Sequence, residues 1–197
     1  MRILAFSDLH RDLAGAARLV ERSREADVVV CAGDLASVHE GLAETIESLR
    51  PIEAPTLLVP GNNETESDLR EASRGWEAAT VLHGDGCDLD GVRFYGLGGG
   101  VPVTPWEWSF DLTEDEAADL LGPCPDDAVL IVHSPPLGHV DVSSGRHLGS
   151  AAIRDAIAER SSPLAVCGHI HESWGAESTI GDTRILNLGP DGALLDV

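Results

Sequence analysis

Five short apolar runs in this chain each end in a small cluster of Gly, Asp, Asn and His, and this repetition constrains the fold more than any other feature. "ILAF" (Ile3–Phe6) leads into Ser7-Asp8-Leu9-His10, "VVVC" (Val28–Cys31) into Gly33-Asp34-Leu35, and "TLLV" (Thr56–Val59) into Gly61-Asn62-Asn63-Glu64. "VLIV" (Val129–Val132) leads into His133-Ser134, and "LAVC" (Leu164–Cys167) into Gly168-His169-Ile170-His171-Glu172. Apolar runs this short, bounded by turn residues, fit strands buried on both faces. Further strand-like runs cover Val92–Tyr95, Arg184–Leu188 and Ala193–Val197. Helical periodicity covers roughly Leu13–Ala26, Val38–Leu49, Ser67–Ala78, Glu114–Leu121 and Ser150–Arg160. The alternation predicts an α/β fold whose largely parallel sheet is covered by helices. The stretch from about Thr80 is richer in strand and Gly and predicts a second, more mixed sheet. Within it, "GDGCDLDG" has the look of an Asp-Gly hairpin turn, and its acid spacing does not fit a calcium loop.

With 197 residues, 43% of them hydrophobic, the chain is long enough to bury a core. No repeat, low-complexity tract or linker divides it, so a single domain over residues 1–197 is expected. No apolar run approaches the roughly 20 residues of a membrane span. The start, "MRILAFSDLH", lacks the longer apolar region and cleavage site of a signal peptide, which predicts a cytoplasmic protein with no membrane partner. Four scattered cysteines without a C-x-x-C pair argue against a disulfide framework or a structural zinc knot. Thirty-four acids stand against thirteen bases, every base is Arg, and the net charge is −21. Such a field disfavours long nucleic acid at low salt. It suits a salt-rich cytosol, where the Debye length falls to ~3 Å at 1 M.

In α/β sheets ligands bind beyond the carboxyl ends of the strands, so the five clusters are expected to converge. They bring Asp8, His10, Asp34, Asn62, His133, His169 and His171. Asp8 and His10, and likewise His169 and His171, point to one side if strand geometry continues past each run. Three oxygen donors with four imidazoles suit transition metals better than Mg or Ca alone. Seven donors exceed what one open catalytic ion takes, and divide sensibly between two ions ~3.5–4 Å apart with one carboxylate shared. Other chemistries are absent: no Lys for a Walker A loop, no G-x-G-x-x-G because Val101 breaks "GLGGG", no G-x-S-x-G elbow and no zincin helix.

Taken together, "SDLH", "AGDL", "PGNNE", "VHSPP" and "CGHIHE" resemble the motifs of calcineurin-like metallophosphoesterases, nearest to their small bacterial and archaeal phosphodiesterases. The resemblance covers almost the whole chain. It implies a two-sheet αββα sandwich with metal-ligand loops at the carboxyl ends of the strands. It implies that Asp8, His10 and His171 hold one ion, that Asn62, His133 and His169 hold a second, and that Asp34 bridges. Two divalent ions are expected, Mn first and Fe, Zn, Co or Ni as alternatives. The implied activity is hydrolysis of a small phosphodiester by a metal-bridging hydroxide attacking phosphorus.

One position departs from the family. Its third motif usually reads Gly-Asn-His, the His helping to protonate the leaving oxygen, and the small phosphodiesterase branch often has Cys; here Asn63 stands in that place. An amide donates a hydrogen bond to a phosphoryl oxygen but delivers no proton, and general acid catalysis is typically worth roughly 10²–10⁴-fold. Asn63 is therefore expected to act as a hydrogen-bond donor, with Arg146 and His147 in "SGRHLG" as candidate phosphate clamp and replacement acid. Glu64 is expected to brace a ligating His or cap the next helix. His39, His83 and His139 are expected at the surface. Trp106 and Trp108 are expected in the core, with a cleft wall or a contact in a homo-oligomer as the alternative. A degenerate family member acting as a metal-binding scaffold is the competing functional reading.

Overall fold

The computed structural model describes residues 1–197, and all five apolar runs are strands of it. In chain order the elements are β1 (Arg2–Phe6), α1 (Leu13–Ser23), β2 (Val28–Cys31), α2 (Leu42–Leu49), β3 (Thr56–Leu58), α3 (Glu66–Ala72) and β4 (Ala79–Val81). There follow β5 (Asp85–Leu89), β6 (Val92–Leu97), α4 (Glu114–Leu121), β7 (Val129–Val132), β8 (Val142–Ser143), β9 (Arg146–His147) and α5 (Ala151–Arg160). The chain ends with β10 (Leu164–Cys167), a 3-10 turn (His171–Ser173), β11 (Glu177–Ile180), β12 (Thr183–Asn187) and β13 (Ala193–Asp196).

Two sheets stack face to face. One has the order β13-β1-β2-β3-β4, parallel except for β13; the other runs β11-β12-β10-β7-β6-β5, with antiparallel strands only at its two edges. Alternation along each strand splits the core into three layers. Ile3, Ala5, Val28 and Val30 meet Val129, Ile131, Leu164 and Val166 between the sheets. The alternate residues Leu4, Phe6, Val29 and Cys31 pack under α1 and α2. Leu130, Val132, Ala165 and Cys167 pack under α4 and α5. This is the αββα sandwich, and it explains why the runs are apolar without interruption: neither face of these strands meets water.

The helix expectations differ at one start and two ends, the first of those ends being that of α1, which stops at Ser23 and not at Ala26. Val38 and His39 adopt left-handed conformations in a tight turn closed by a Ser37–Glu40 bridge, so α2 starts only at Leu42, after Gly41 at φ 75°. α3 stops at Ala72, and Gly75 at φ 77° turns the chain into β4. The Asp-Gly turn is present, with Asp90 (φ 50°) and Gly91 (φ 83°) joining β5 to β6 as a two-residue hairpin demands. Trp76 is the indole that serves the core, donating to the Ile52 carbonyl. No helix is long and apolar enough to cross a membrane.

Candidate metal centre

Every cluster that follows a central strand lies at the same edge of the sandwich, and the chain reaches it through strained turns. Strand geometry does not continue past Phe6 or Cys167: Asp8 (φ 56°), His10 (φ 43°), Arg11 (φ 71°), Asp34 (φ 59°) and His169 (φ 68°) are all left-handed. Such conformations cost of order 1–3 kcal/mol each and persist where the surroundings impose them. The loops hold one another by backbone bonds, Asp8 N–H to Gly33 O, His10 N–H to Asp34 O and Gly168 N–H to His133 O. Gly33 is required here, since a Cβ would stand 2.6 Å from Gly61 Cα and 2.7 Å from His133 Nδ1.

The result is two groups of ligand atoms, Asp8–His10–His171 and Asp34–His133–His169, each within a 4.8 Å span. His10 Nε2 lies 3.1 Å from His171 Nε2, which lies 3.7 Å from Asp8 Oδ1. Asn62 Oδ1 lies 3.2 Å from His133 Nε2 and 3.1 Å from His169 Nδ1. Asp34 Oδ2 stands between the groups, 3.5 Å from His10 Nε2 and 3.6 Å from His133 Nε2. The left-handed turn at His169 sends that ring to one group and His171 to the other, so the expectation that the two point to one side is corrected.

These residues fit a pair of ions. His10 and His133 donate Nδ1–H to the Ala36 and Ala32 carbonyls, which leaves each Nε2 as a lone-pair atom. Both lone pairs face the Asp34 carboxylate, an acceptor-to-acceptor contact that a cation between them makes favourable. The spacings among His10, His171, Asn62, His133, His169 and Asp34, 3.1 to 3.6 Å, lie close to the roughly 3–3.5 Å separating two ligands that each sit about 2.0–2.2 Å from one ion. Asp8 stands somewhat farther out, at 3.7 Å from His171. Burial and the charge of Asp8 push Asp34 up to about 7. Burial and the neighbouring His133 hold His169 down to about 3, in its neutral, ligating form. Asp8 is buried too, which raises it, yet the neighbouring His171 and the Ser7 hydroxyl bring it down to about 2.

A surrounding layer orients the donors. Ser7 Oγ–H and Trp174 Nε1–H donate to Asp8 Oδ2. Asn62 Nδ2–H donates to Ser109 Oγ, whose own proton goes to Asp111 Oδ1, so Asn62 presents its oxygen and not its nitrogen to the His pair. Asn63 is buried and fully engaged: its backbone N–H and Nδ2–H donate to the two oxygens of Asp34, and its Oδ1 accepts from Val38 N–H. It positions Asp34. Glu64 neither braces a His nor caps α3, whose cap is Thr65. Its buried carboxylate accepts from Gly61, Leu35 and Ala36 N–H and so clamps the second and third loops together, while burial and Asp34 push it up to about 7.

The centre opens into a cavity of about 540 Å³ lined by His10, Asp34, Asn62, Asn63, His169 and His171 together with Pro102, Trp106, Trp108, Leu148 and Glu172. Trp106 is half exposed and stacks on Trp108, so the expected core role is corrected: these indoles wall the cavity. The reason is that the loop carrying them is pinned across the mouth of the site by Asn62 and Asp111 and leaves no hydrophobic layer to enter. Arg146 and His147 are exposed on β9, and neither lines the cavity; His147 Nδ1 lies 2.6 Å from Asp141 Oδ1. Their hairpin neighbours Ser143 and Leu148 do line it. His39 is exposed, but His83 and His139 are half-buried, bonded to Gly98 N–H and Ser178 Oγ. Ser109, Asp111 and Trp174 escaped the sequence reading; the polar Ser and Asp inside "TPWEWSFDL" were the only signal available for the first two.

The chain is 33% identical over 118 residues to UPF0046 protein T07D4.2 of Caenorhabditis elegans, a match that takes in 55% of this chain and spans only 28% of that protein. Its fold is similar to that of TT1561 of Thermus thermophilus, with TM-score 0.79, 18% identity, and 99% of this chain and 93% of that one covered. It is also similar to that of a structure described as a novel archaeal phosphodiesterase, with TM-score 0.58, 16% identity, and 96% and 84% covered. Residues 1–195 match the family model described as the calcineurin-like phosphoesterase superfamily domain, and the chain belongs to that superfamily.

Proposed function

We propose that this protein is a two-metal phosphohydrolase that prefers small phosphodiesters. The observation that carries the reading is the Asp34 carboxylate standing between two His pairs at the floor of a cavity. Asp8, His10 and His171 would hold one ion, Asn62, His133 and His169 the other, and Asp34 both, with Mn the first choice and Fe, Zn, Co or Ni the alternatives. Ions bound there supply positive charge for the phosphoryl oxygens and a water acidified toward neutrality as the nucleophile. The chain's own part is to hold the donors rigid: Asn63 fixes both oxygens of Asp34, and Ser109 fixes the Asn62 amide.

Asn63 has no proton to give, so the leaving alkoxide departs without a side-chain acid from this position, which favours esters of acidic alcohols. Apart from the proposed metal ligands, the one charged side chain lining the cavity is Glu172, and no Arg lines it. The second negative charge of a monoester finds no protein cation there, and a singly charged diester is the better substrate. That the structure described as an archaeal phosphodiesterase shares this fold supports the reading at the level of fold alone.

The test is hydrolysis of bis(p-nitrophenyl) phosphate and p-nitrophenyl phosphate by metal-stripped protein refilled with Mn²⁺, at low and high salt, beside Asp34→Asn. The expected outcome is metal-dependent turnover, faster on the diester, that falls by at least about a hundredfold in the variant. The scaffold reading has one observation in its favour, the exposed Val103, Trp106 and Leu148 at the rim. Both sites filled by metal analysis, with no turnover of either ester, would establish it instead.

A further inference from the structure

The aromatic wall has a job that the metal centre does not account for. Trp106 and Trp108 stack with ring centroids 5.6 Å apart and planes 12° from parallel, yet Trp106 keeps 50% of its surface exposed. A large, half-exposed aromatic held in place is a feature of recognition surfaces, since its flat face offers contact at little entropic cost. The wall is built and not left to chance. Asp111 Oδ2 accepts from both Thr104 N–H and Thr104 Oγ1–H, and Gly100 exchanges backbone bonds with Phe110 and Leu112. His39 Nε2 lies 2.5 Å from the Trp108 carbonyl, and Phe110 N–H donates to the Asn62 carbonyl, which ties the wall directly to a residue of the metal centre. Pro102, Val103 and Pro105 extend the apolar side, while His10, Asp34 and His169 form the polar side of the same cavity.

We propose that the Trp106–Trp108 stack is the specificity wall of this cavity and that it receives a flat aromatic group esterified to a singly charged phosphate. The proposal deepens the phosphohydrolase reading and rests on it. Beyond the metal ligands, the charge of the lining sets the phosphate, since the cavity there offers the Glu172 carboxylate and no guanidinium. The stacked indoles set the organic part: the half-exposed Trp106 ring, held parallel to Trp108, rewards another ring laid upon it and gives no comparable gain to a puckered or branched group of the same size.

The test uses metal-loaded protein and two ligands that have no ester bond to cleave, diphenylphosphinate and dicyclohexylphosphinate. Both carry one negative charge, and the cyclohexyl ligand is the more apolar, so a preference for the phenyl ligand reports flatness and not hydrophobicity. Calorimetric titration is expected to give about fivefold tighter binding of the phenyl ligand. The preference should vanish in Trp106→Ala and survive in Trp106→Phe. Equal affinities, no binding of either ligand, or a preference retained in Trp106→Ala each overturn the proposal. So does a Trp106→Ala chain whose only change is from dimer to monomer in sedimentation, which would make the stack an interface between copies. The two readings fail separately. Turnover of bis(p-nitrophenyl) phosphate without the flat-ring preference removes the wall and leaves the hydrolase; the preference without turnover removes the hydrolase and leaves the wall.

Discussion

At the scale of single residues, the centre depends on side chains whose job is to aim others. Ser109 is the clearest case. An amide has nearly equal ends, and the bond from Nδ2–H to Ser109 Oγ, seconded by a longer one from Asn63 Nδ2–H to Asn62 Oδ1, tells Asn62 which end to present to His133 and His169. Ser109→Ala is expected to weaken Mn²⁺ binding about 10–100-fold, read by calorimetry on metal-stripped protein; an unchanged isotherm would show that the amide needs no such guide. Asn63→Ala removes a buried donor to Asp34 and the part-buried acceptor of Val38 N–H. The expected cost to the metal-free protein is about 1–3 kcal/mol in urea denaturation. The donors themselves were legible in the sequence, because Asp, Asn and His recur at the ends of apolar runs. The role of Asn63 was not. Whether an amide faces a substrate or a neighbouring carboxylate depends on what lies beside it in space, and Asp34 is 29 positions away.

Secondary-structure elements were readable where local chemistry decides and obscure where it does not. α4 spans Glu114–Leu121 as expected because Thr113 and Glu116 form a reciprocal capping box at its start. Thr113→Ala is expected to cost about 1 kcal/mol in thermal or urea unfolding with kcat/KM unchanged, since α4 packs on the outer face of the second sheet and contributes nothing to the cavity. A loss of activity equal to the loss of stability would contradict that separation. Edge strands were hidden. "ESTI" (Glu177–Ile180) and "DGCDL" (Asp85–Leu89) carry no apolar run, because an edge strand with one face to solvent is held by pairing to β12 and β6 and not by burial. The helical reading of Val38–Glu40 failed for a similar reason: a periodic pattern says nothing about two consecutive left-handed residues.

For the whole molecule, charge sets the response to salt and pH. A net charge of −21 repels itself, and salt removes that repulsion as the Debye length shrinks from about 30 Å at 0.01 M to about 3 Å at 1 M. The melting temperature should therefore climb with NaCl over that range, and a flat profile would show that the surplus acids are too dispersed to matter. In the metal-free protein, Asp34 and Glu64 both sit at about 7, above their ordinary 3.8 and 4.5. Each contribution is complete below the ordinary value and is lost as pH rises through the folded one. His169, lowered from 6.5 to about 3, acts oppositely and loses its contribution as pH falls below 6.5. Two groups outweigh one, so the metal-free protein is expected to lose stability from about pH 5 to about pH 7.5, and bound ions to abolish that slope, in melting curves at matched ionic strength. A metal-free melting temperature that rises across this window would overturn the assignment. By itself the sequence determined an α/β fold with two sheets and the polar clusters at its strand ends, because these are local patterns; the sandwich and the assignment of the ligands came from the family resemblance. That resemblance already implied how the four histidines divide; only the tertiary structure decided which way the amides of Asn62 and Asn63 face and that two tryptophans wall a cavity. Those outcomes depend on left-handed turns, and on contacts between loops far apart in the chain, which no local pattern encodes.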